Sequence, residues 1–477
     1  MSKKFDAVII GSGQAGTPLA SALAGSGRKT ALIERSHLGG CCVNEGCTPT
    51  KTMIASGRVA YLAKRSSQDY GVWQGTKGEA IQPAVDMEKV RQRKRDIVDR
   101  FRGGSERRLK AVNNLEVIVG EASFSDAKSL SVKLAGGDEV NVEAETFFIN
   151  TGERPARPHL PISDSVDRLR ILDSTSIQEL AEVPEHLIVL GGGVIGMEFG
   201  QLFRRLGSEV TIVQRAKQLL PREDAEVADA VAQICEEDGI RVALNTTASS
   251  IDVGKDDKSI VLSIKSASGE DGTVEGSHIL LAAGRTPNTD MLNLSNAGVD
   301  INKRGHITVS PTLQTSKPHI YALGDVHGGP AFTHISYDDM RIIRANFINQ
   351  RPNALTTENR QIPYVVYMDP QLAHIGLHEA EARAANPGKL IQTATMPMSY
   401  VARALETDET RGLMKAVIDA DSKQILGFTI LGLEGGEVMS VVQMAMLGKL
   451  PYTALQDAVF AHPTLAESLN NLWGYLK

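Results

Sequence analysis

Two stretches of the chain follow one plan, and that repetition limits the fold more than any other feature. Residues 5–35, FDAVIIGSGQAGTPLASALAGSGRKTALIER, pass from a short apolar run through Gly11, Gly13 and Gly16 into an Ala/Leu-rich stretch of helical length, then into a second apolar run ending at Glu34. Residues 185–215, EHLIVLGGGVIGMEFGQLFRRLGSEVTIVQR, repeat the order with Gly191, Gly193 and Gly196, and end at Gln214 and Arg215. Each reads as a βαβ unit whose glycines permit a tight turn and bring backbone N–H groups at a helix N-terminus close to a pyrophosphate. The repeat predicts an α/β chain with two dinucleotide sites. At 477 residues it has room for roughly three domains of about 150 residues each.

The two units differ where the second strand ends. Glu34 can accept from ribose hydroxyls, whereas Gln214 removes an acid and Arg215 can pair with a 2′-phosphate, which favours NADPH over NADH at the second site. One dinucleotide held permanently and one exchanging is the layout that passes a hydride from nicotinamide to flavin. Between and after the units, residues 88–112 read as an exposed amphipathic helix and 115–150 as a strand meander. A helix is expected around 335–349 and a turn-rich boundary at 349–361. The last third, with strands YVVYM, LMKAVID and ILGFTIL and helices EVMSVVQMAMLGK and LAESLNNLWGYL, is an α+β pattern.

Charge excludes some partners. Lys plus Arg total 51 against 57 Asp plus Glu, net −6, so no basic excess exists to neutralise a nucleic-acid backbone. No run approaches the roughly 18 apolar residues of a membrane span, and MSKKFDAVIIGSG carries no small-residue cleavage site, so a cytoplasmic protein without a membrane partner is expected. Only four cysteines occur, yet Cys41, Cys42 and Cys47 cluster in GGCCVNEGCTPTKTM. Thr48-Pro49 reads as a helix start, whose dipole and free N–H groups favour a thiolate, and Lys51 follows Cys47 by one turn. Two buried small hydrophobes are the alternative. Cys235, in AVAQICEEDG, reads as helix packing.

GGCCVNEGCTPTK resembles the redox-active disulfide signature of the pyridine nucleotide-disulfide oxidoreductases, the flavoprotein family of glutathione reductase, dihydrolipoamide dehydrogenase and mercuric reductase. The likeness continues through TGERP at 151–155, GGGVIGMEF, AAGRTPNT, YALGDV, DPQLAHIGL and HPTLAE. It implies two Rossmann-like FAD- and NAD(P)-binding domains, one inserted in the other, plus an α+β C-terminal dimerisation domain. The implied boundaries are 1–150 with 281–349 for FAD, 151–280 for NAD(P)H and 350–477 for the interface. It also implies that Gly11, Gly13, Gly16, Glu34, Thr151, Gly152 and Asp325 hold FAD, that Gly191, Gly193, Gly196, Gln214, Arg215 and Gly284 hold NADPH, and that Lys51 lies near the flavin with Glu198 as partner. Cys42 and Cys47 become the redox pair, with Cys47 against the flavin and Cys42 exposed. His462, oriented by Glu467, becomes the acid/base across a homodimer interface, so that the active site is built from two chains.

Departures narrow the branch. Gln214 stands where lipoamide dehydrogenases carry an acid, the tail NNLWGYLK lacks the extra cysteine pair of thioredoxin reductases and typical mercuric reductases, and no N-terminal CxxC metal-delivery domain is present. CTPTKTMIASGRVAYLAKRSSQDYGV and VQRAKQLLPRED resemble the mercuric-reductase branch, and GGPAFTHISYDDMRII resembles its reactive-chlorine-resistance copper(II) reductase flavoproteins. The expected function is electron transfer from NADPH through FAD and the dithiol to a soft metal ion, Hg(II) or Cu(II), or to an oxidant-stress substrate. No metal is expected as a structural ligand; the substrate cation would meet Cys42 and Cys47 in passing. A reductase of low-molecular-weight disulfides and a flavin-bound redox sensor are the alternatives. Cys41 could assist a metal or fill a small site. His334, Tyr337, Asp338 and Asp339 could shape the substrate side or serve a helix N-cap and packing.

Overall fold

The computed structural model describes residues 2–73, 75–254 and 258–477. It divides into two compact units, each of three segments: 1–52, 92–156 and 284–360 form the first, and 53–91, 157–283 and 361–477 the second.

In the first unit, β1 (Lys3–Ile10) leads through the first glycine turn into α1 (Gly16–Gly25) and β2 (Thr30–Glu34). Next come α2 (Gly40–Asn44), α3 (Cys47–Arg65), which runs on into the second unit after residue 52, α4 (Met87–Lys110), which returns to the first at residue 92, and the meander β3 (Leu115–Asp126), β4 (Ser129–Leu134) and β5 (Glu139–Ile149). Strand β1 lies parallel to β2 and β5, β2 is parallel to β3, and β5 is parallel to the late strand Ile320–Ala322. The far half of β3 and the near half of β5 turn away to pair antiparallel with β4. A parallel sheet is covered on both faces, so β1 is apolar on both: Ala7 and Ile9 join one core and Val8 and Ile10 another.

The second unit holds a five-stranded parallel sheet in the order Arg241–Ala243, Glu209–Val213, His186–Leu190, His278–Leu281, Ile171–Leu172. Helix Val194–Leu206 packs on it through Met197, Phe199 and Phe203 and ends at Gly207, in the left-handed region at φ 119°. The C-terminal part is an antiparallel sheet in the order Tyr364–Val366, Gln371–Gly376, Ile425–Gly432, Leu413–Asp419, Ile391–Pro397, backed by helix Gly435–Leu447. Among the described residues no helix is long and apolar enough to cross a membrane.

The chain's last helix is shorter than LAESLNNLWGYL suggests. Only Ser468–Asn471 is α-helical, and Leu472–Tyr475 tightens to a 3-10 turn. Leu472 and Trp473 are buried there, Leu476 bridges to Ala394, and Lys477 N donates to Thr393 O at 2.9 Å, so strand pairing overrides helical continuation.

Candidate active site

The thiols are placed by glycine geometry. Gly40 opens α2 at φ 65°, and a Cβ there would stand 2.5 Å from Gly13 Cα, so α2 rests directly on the first glycine turn. Cys42 lies in α2 and Cys47 is the first residue of α3. The two are free thiols, hydrogen-bonded to each other, and the Thr333 hydroxyl bonds Cys42 and sits 3.5 Å from Cys47 Sγ. The bond to Cys47, and burial after it, push the Cys42 thiol well above the ordinary range, with Thr333 pulling the other way. Where two thiols are hydrogen-bonded to each other, a charge on one makes the second proton harder to remove. Thr333 went unnoticed in the sequence because the helix carrying it, Thr333–Ile343, follows Cys47 by most of the chain.

Around the thiols lie Cys41 and a charged cluster. Cys41 is exposed, with Arg285 Nη2 3.8 Å from its Sγ. Arg285 also donates to Glu153 O at 2.7 Å, and Glu153 Oε1 takes His306 Nε2 at 2.8 Å. Asp325 is half-buried; desolvation, then the Glu153 charge, push its carboxyl up to about 6. Asp339 is fully buried and accepts from Gly324 N at 2.8 Å, His327 Nε2 at 2.9 Å and Arg360 Nη1 at 2.6 Å. Burial opposes its charge, yet His327 and Arg360 hold it below the usual range. It braces the GDV turn from inside. His334 stacks on Phe332, Tyr337 is exposed under Arg341, and Asp338 pairs with Arg360 at 3.6 Å.

The residues expected to hold FAD all lie in the first unit. Glu34 Oε2 accepts from Ser12 N at 3.0 Å and Ser12 Oγ at 2.6 Å, tying the end of β2 to the turn that carries Gly11, Gly13 and Gly16. Thr151 Oγ1 donates to Asn288 O at 2.9 Å, and Gly152 O accepts from Asn288 N at 2.9 Å. A Cβ on Gly152 would meet no atom within 4 Å. A glycine turn at a helix N-terminus, a strand-end carboxylate, an open backbone at Gly152 and the half-buried Asp325 fit an FAD with its pyrophosphate on α1.

In the second unit the turn repeats. Gly191 is at φ 117° with a built Cβ only 2.5 Å from Ala282 O, while one on Gly193 meets nothing within 4 Å, which leaves the turn open toward a nucleotide. Gln214 is buried, Arg215 is exposed, and Glu198, buried in the helix, accepts from Tyr367 N at 2.9 Å. Gly284, at φ 133°, belongs to the first unit, and its carbonyl accepts from Ala156 N. Lys51 lies one turn into α3. His462 Nδ1 lies 3.0 Å from both Glu467 oxygens, with the imidazole largely exposed and Glu467 mostly covered. The carboxylate thereby fixes which imidazole nitrogen faces out. Cys235 is fully buried in the helix-packing core, and burial pushes its thiol up to about 12.

Two dinucleotide turns, a facing thiol pair and a carboxylate-oriented histidine define a flavin- and nicotinamide-dependent disulfide reductase. Residues 5–339 match the pyridine nucleotide-disulphide oxidoreductase family model and 362–472 its dimerisation domain, and the chain belongs to that family. Among the relatives, "Probable pyridine nucleotide-disulfide oxidoreductase RclA" of Escherichia coli (strain K12) is 36% identical, covering 99% of this chain and all of its own. A mercuric reductase of Staphylococcus aureus is 33% identical over 98% of this chain and 81% of its own, and a dihydrolipoyl dehydrogenase of Geobacillus stearothermophilus is 32% identical over 97% and 94%. Among solved structures, the Cu(II) complex of the HOCl-induced flavoprotein disulfide reductase RclA from Escherichia coli superposes with a TM-score of 0.87, at 35% identity over 99% of both chains. The protein is an oxidoreductase of a class that uses FAD and a nicotinamide nucleotide.

Proposed function

We propose that the chain takes electrons from NADPH and delivers them, through its Cys42–Cys47 pair, to a soft metal cation, Cu(II) or Hg(II). The observation that carries this is the facing thiol pair seated on the first glycine turn. Support comes from the soft-donor chemistry of two thiolates and from the RclA and mercuric reductase relatives. FAD, held by Gly11, Gly13, Gly16, Glu34, Thr151, Gly152 and Asp325, supplies electron transfer between nicotinamide and dithiol. Gly191, Gly193 and Gly196 receive the nicotinamide nucleotide, with Arg215 pairing its 2′-phosphate beside the uncharged Gln214. The domain boundaries proposed are 1–150 with 281–349 for FAD, 151–280 for NADPH and 350–477 for the interface.

Cys42 is the thiol that meets substrate, and Cys47 is its resolving partner. Forming their disulfide releases two electrons and two protons, enough to take two Cu(II) to Cu(I) or one Hg(II) to Hg(0). His462 takes the Cys42 proton, with Glu467 holding the imidazole so that its other nitrogen faces outward. In a homodimer built on the C-terminal domain this pair serves the thiols of the second copy. Lys51 and Glu198 are assigned to the flavin environment.

Steady-state nicotinamide oxidation with Cu(II), Hg(II), lipoamide and oxidised glutathione tests the reading. Turnover with the metal ions and a lower KM for NADPH than NADH are expected. Rapid lipoamide turnover driven by NADH, with none on either metal, overturns it.

A further inference from the structure

Within the second unit lies a cluster of metal-ligating groups that disulfide reduction does not use. Glu223 precedes helix Ala225–Glu237, His374 lies in strand Gln371–Gly376, and His378 precedes helix Glu379–Ala385. One ligand atom from each falls within 4.8 Å of the others. Their exposures are only 7%, 2% and 8%, and the imidazoles stack with centroids 3.9 Å apart. The Tyr364 hydroxyl donates to Glu223 Oε1 at 2.6 Å and stands 3.2 Å from His378 Nε2. Glu223 Oε2 is buried with no hydrogen-bond partner among the described residues.

We propose that Glu223, His374 and His378 bind a divalent transition-metal cation of borderline softness, Zn²⁺ or Cu²⁺, at a site separate from the thiol pair. Two imidazoles and one carboxylate in a closed pocket are a donor set such cations favour, and Mg²⁺ or Ca²⁺ would want more oxygens. The cation meets the need of Glu223 Oε2, an acceptor that burial otherwise leaves unpaired. His374 is hydrogen-bonded at both nitrogens, Nδ1 with Thr429 Oγ1 at 2.8 Å and Nε2 with Gly376 O at 3.1 Å. Binding displaces one of these, and the other remains as the outer contact that fixes the ring. Lys415, whose charge acts on His378, is matched by Asp224 and Glu226 at 2.9 Å and Glu379 at 2.8 Å, so that charge is largely offset. A cation there ties the segment after the second dinucleotide unit to the C-terminal sheet.

The test uses oxidised holoenzyme, whose Cys42–Cys47 disulfide leaves no paired thiols to compete. Equilibrium dialysis against Zn²⁺ with elemental analysis is expected to show one zinc per chain in the wild type, bound at least tenfold more weakly by Glu223→Gln and by His378→Ala. Zinc should raise the melting temperature of the wild type and not of the variants. Glu223→Gln keeps the side-chain shape and an acceptor for Tyr364, so it folds, and its turnover with the thiol-directed acceptor should equal that of the wild type. Zinc uptake equal in wild type and Glu223→Gln, whether both bind or neither does, overturns the proposal; so does uptake lost instead in Cys41→Ser.

Discussion

Two glycines of the second βαβ unit share a backbone conformation but not a neighbourhood, which makes them a matched test of the nicotinamide turn. Gly191 has φ 117° and Gly207 φ 119°, so alanine at either forfeits about 1–2 kcal/mol in the left-handed region. At Gly207 nothing lies within 4 Å of the added carbon. At Gly191 that carbon stands 2.5 Å from Ala282 O and 2.9 Å from Ala282 C, so the turn and the end of strand His278–Leu281 must part by several tenths of an ångström. Such overpacking costs a further ~1–3 kcal/mol. The retreat carries the turn's N–H groups with it, so most of the second cost should appear as lost nucleotide binding, about 5- to 100-fold at 1.4 kcal/mol per decade. The assay is the KM for NADPH and the rate of flavin reduction in stopped flow, with flavin content as the check on folding. Gly191→Ala should raise KM in that range with flavin retained, and Gly207→Ala should leave it near wild type. Equal effects from the two, or no change at Gly191, would refute the argument that close approach, and not backbone freedom alone, demands glycine here.

Four further outcomes are expected. Cys42→Ser should abolish turnover with any acceptor while leaving flavin reduction by NADPH intact; acceptor turnover at the wild-type rate would sink the dithiol mechanism. Glu467→Gln should lower kcat about 10- to 100-fold with little change in the KM for NADPH, since it disturbs only the orientation of His462, and a pH–rate profile reads the change. Asp325 has its carboxyl raised to about 6, so its contribution to stability is full below the unfolded value near 4 and lost as pH rises through 6. Flavin-stripped Asp325→Asn should therefore be more stable than stripped wild type at pH 8, by up to ~3 kcal/mol, and about equal to it at pH 4, while its FAD affinity falls. Asp369 is half-buried between Arg58, at 2.6 Å, and Arg205; desolvation opposes its charge, but the two guanidiniums hold its carboxyl below the ordinary range. Its contribution is present above the unfolded value near 4 and lost as pH falls through the lower folded one, so Asp369→Asn should cost ~3 kcal/mol at pH 7 in denaturant melts and less toward pH 3.

What the sequence disclosed and what it withheld follow the range of the interactions. The strand, turn and helix around Gly11 and Gly191 were legible because a βαβ unit is made by neighbours in the chain. The pairing of His462 with Glu467 spans one turn of chain and was legible through the family resemblance. Thr333 beside the thiols was not, because its placement needs the strand Ile320–Ala322 to pair with β5 first. Glu223, His374 and His378 stand in three separate segments, and each alone is an ordinary loop acid or a packing histidine. The raised Cys42 thiol was hidden for a different reason: helix-start reasoning sees one cysteine, whereas the shared proton belongs to two.

The division of the chain into alternating segments has a consequence for how the protein is made. A ribosome releasing residues in order has emitted β1, α1, β2 and the meander long before Gly284–Arg360 arrives with the last parallel strand for that sheet. The whole of 157–283 emerges in between. The first unit therefore waits, with the β5 edge that Ile320–Ala322 will later cover still open, while its own intervening insert is synthesised, and such an edge invites pairing with other chains. The second unit waits longer still, since its final segment ends at Lys477. Neither half of this enzyme exists as a contiguous piece of sequence, so a truncation anywhere upstream of residue 360 leaves two unfinished bodies where a beads-on-a-string protein would leave one finished domain.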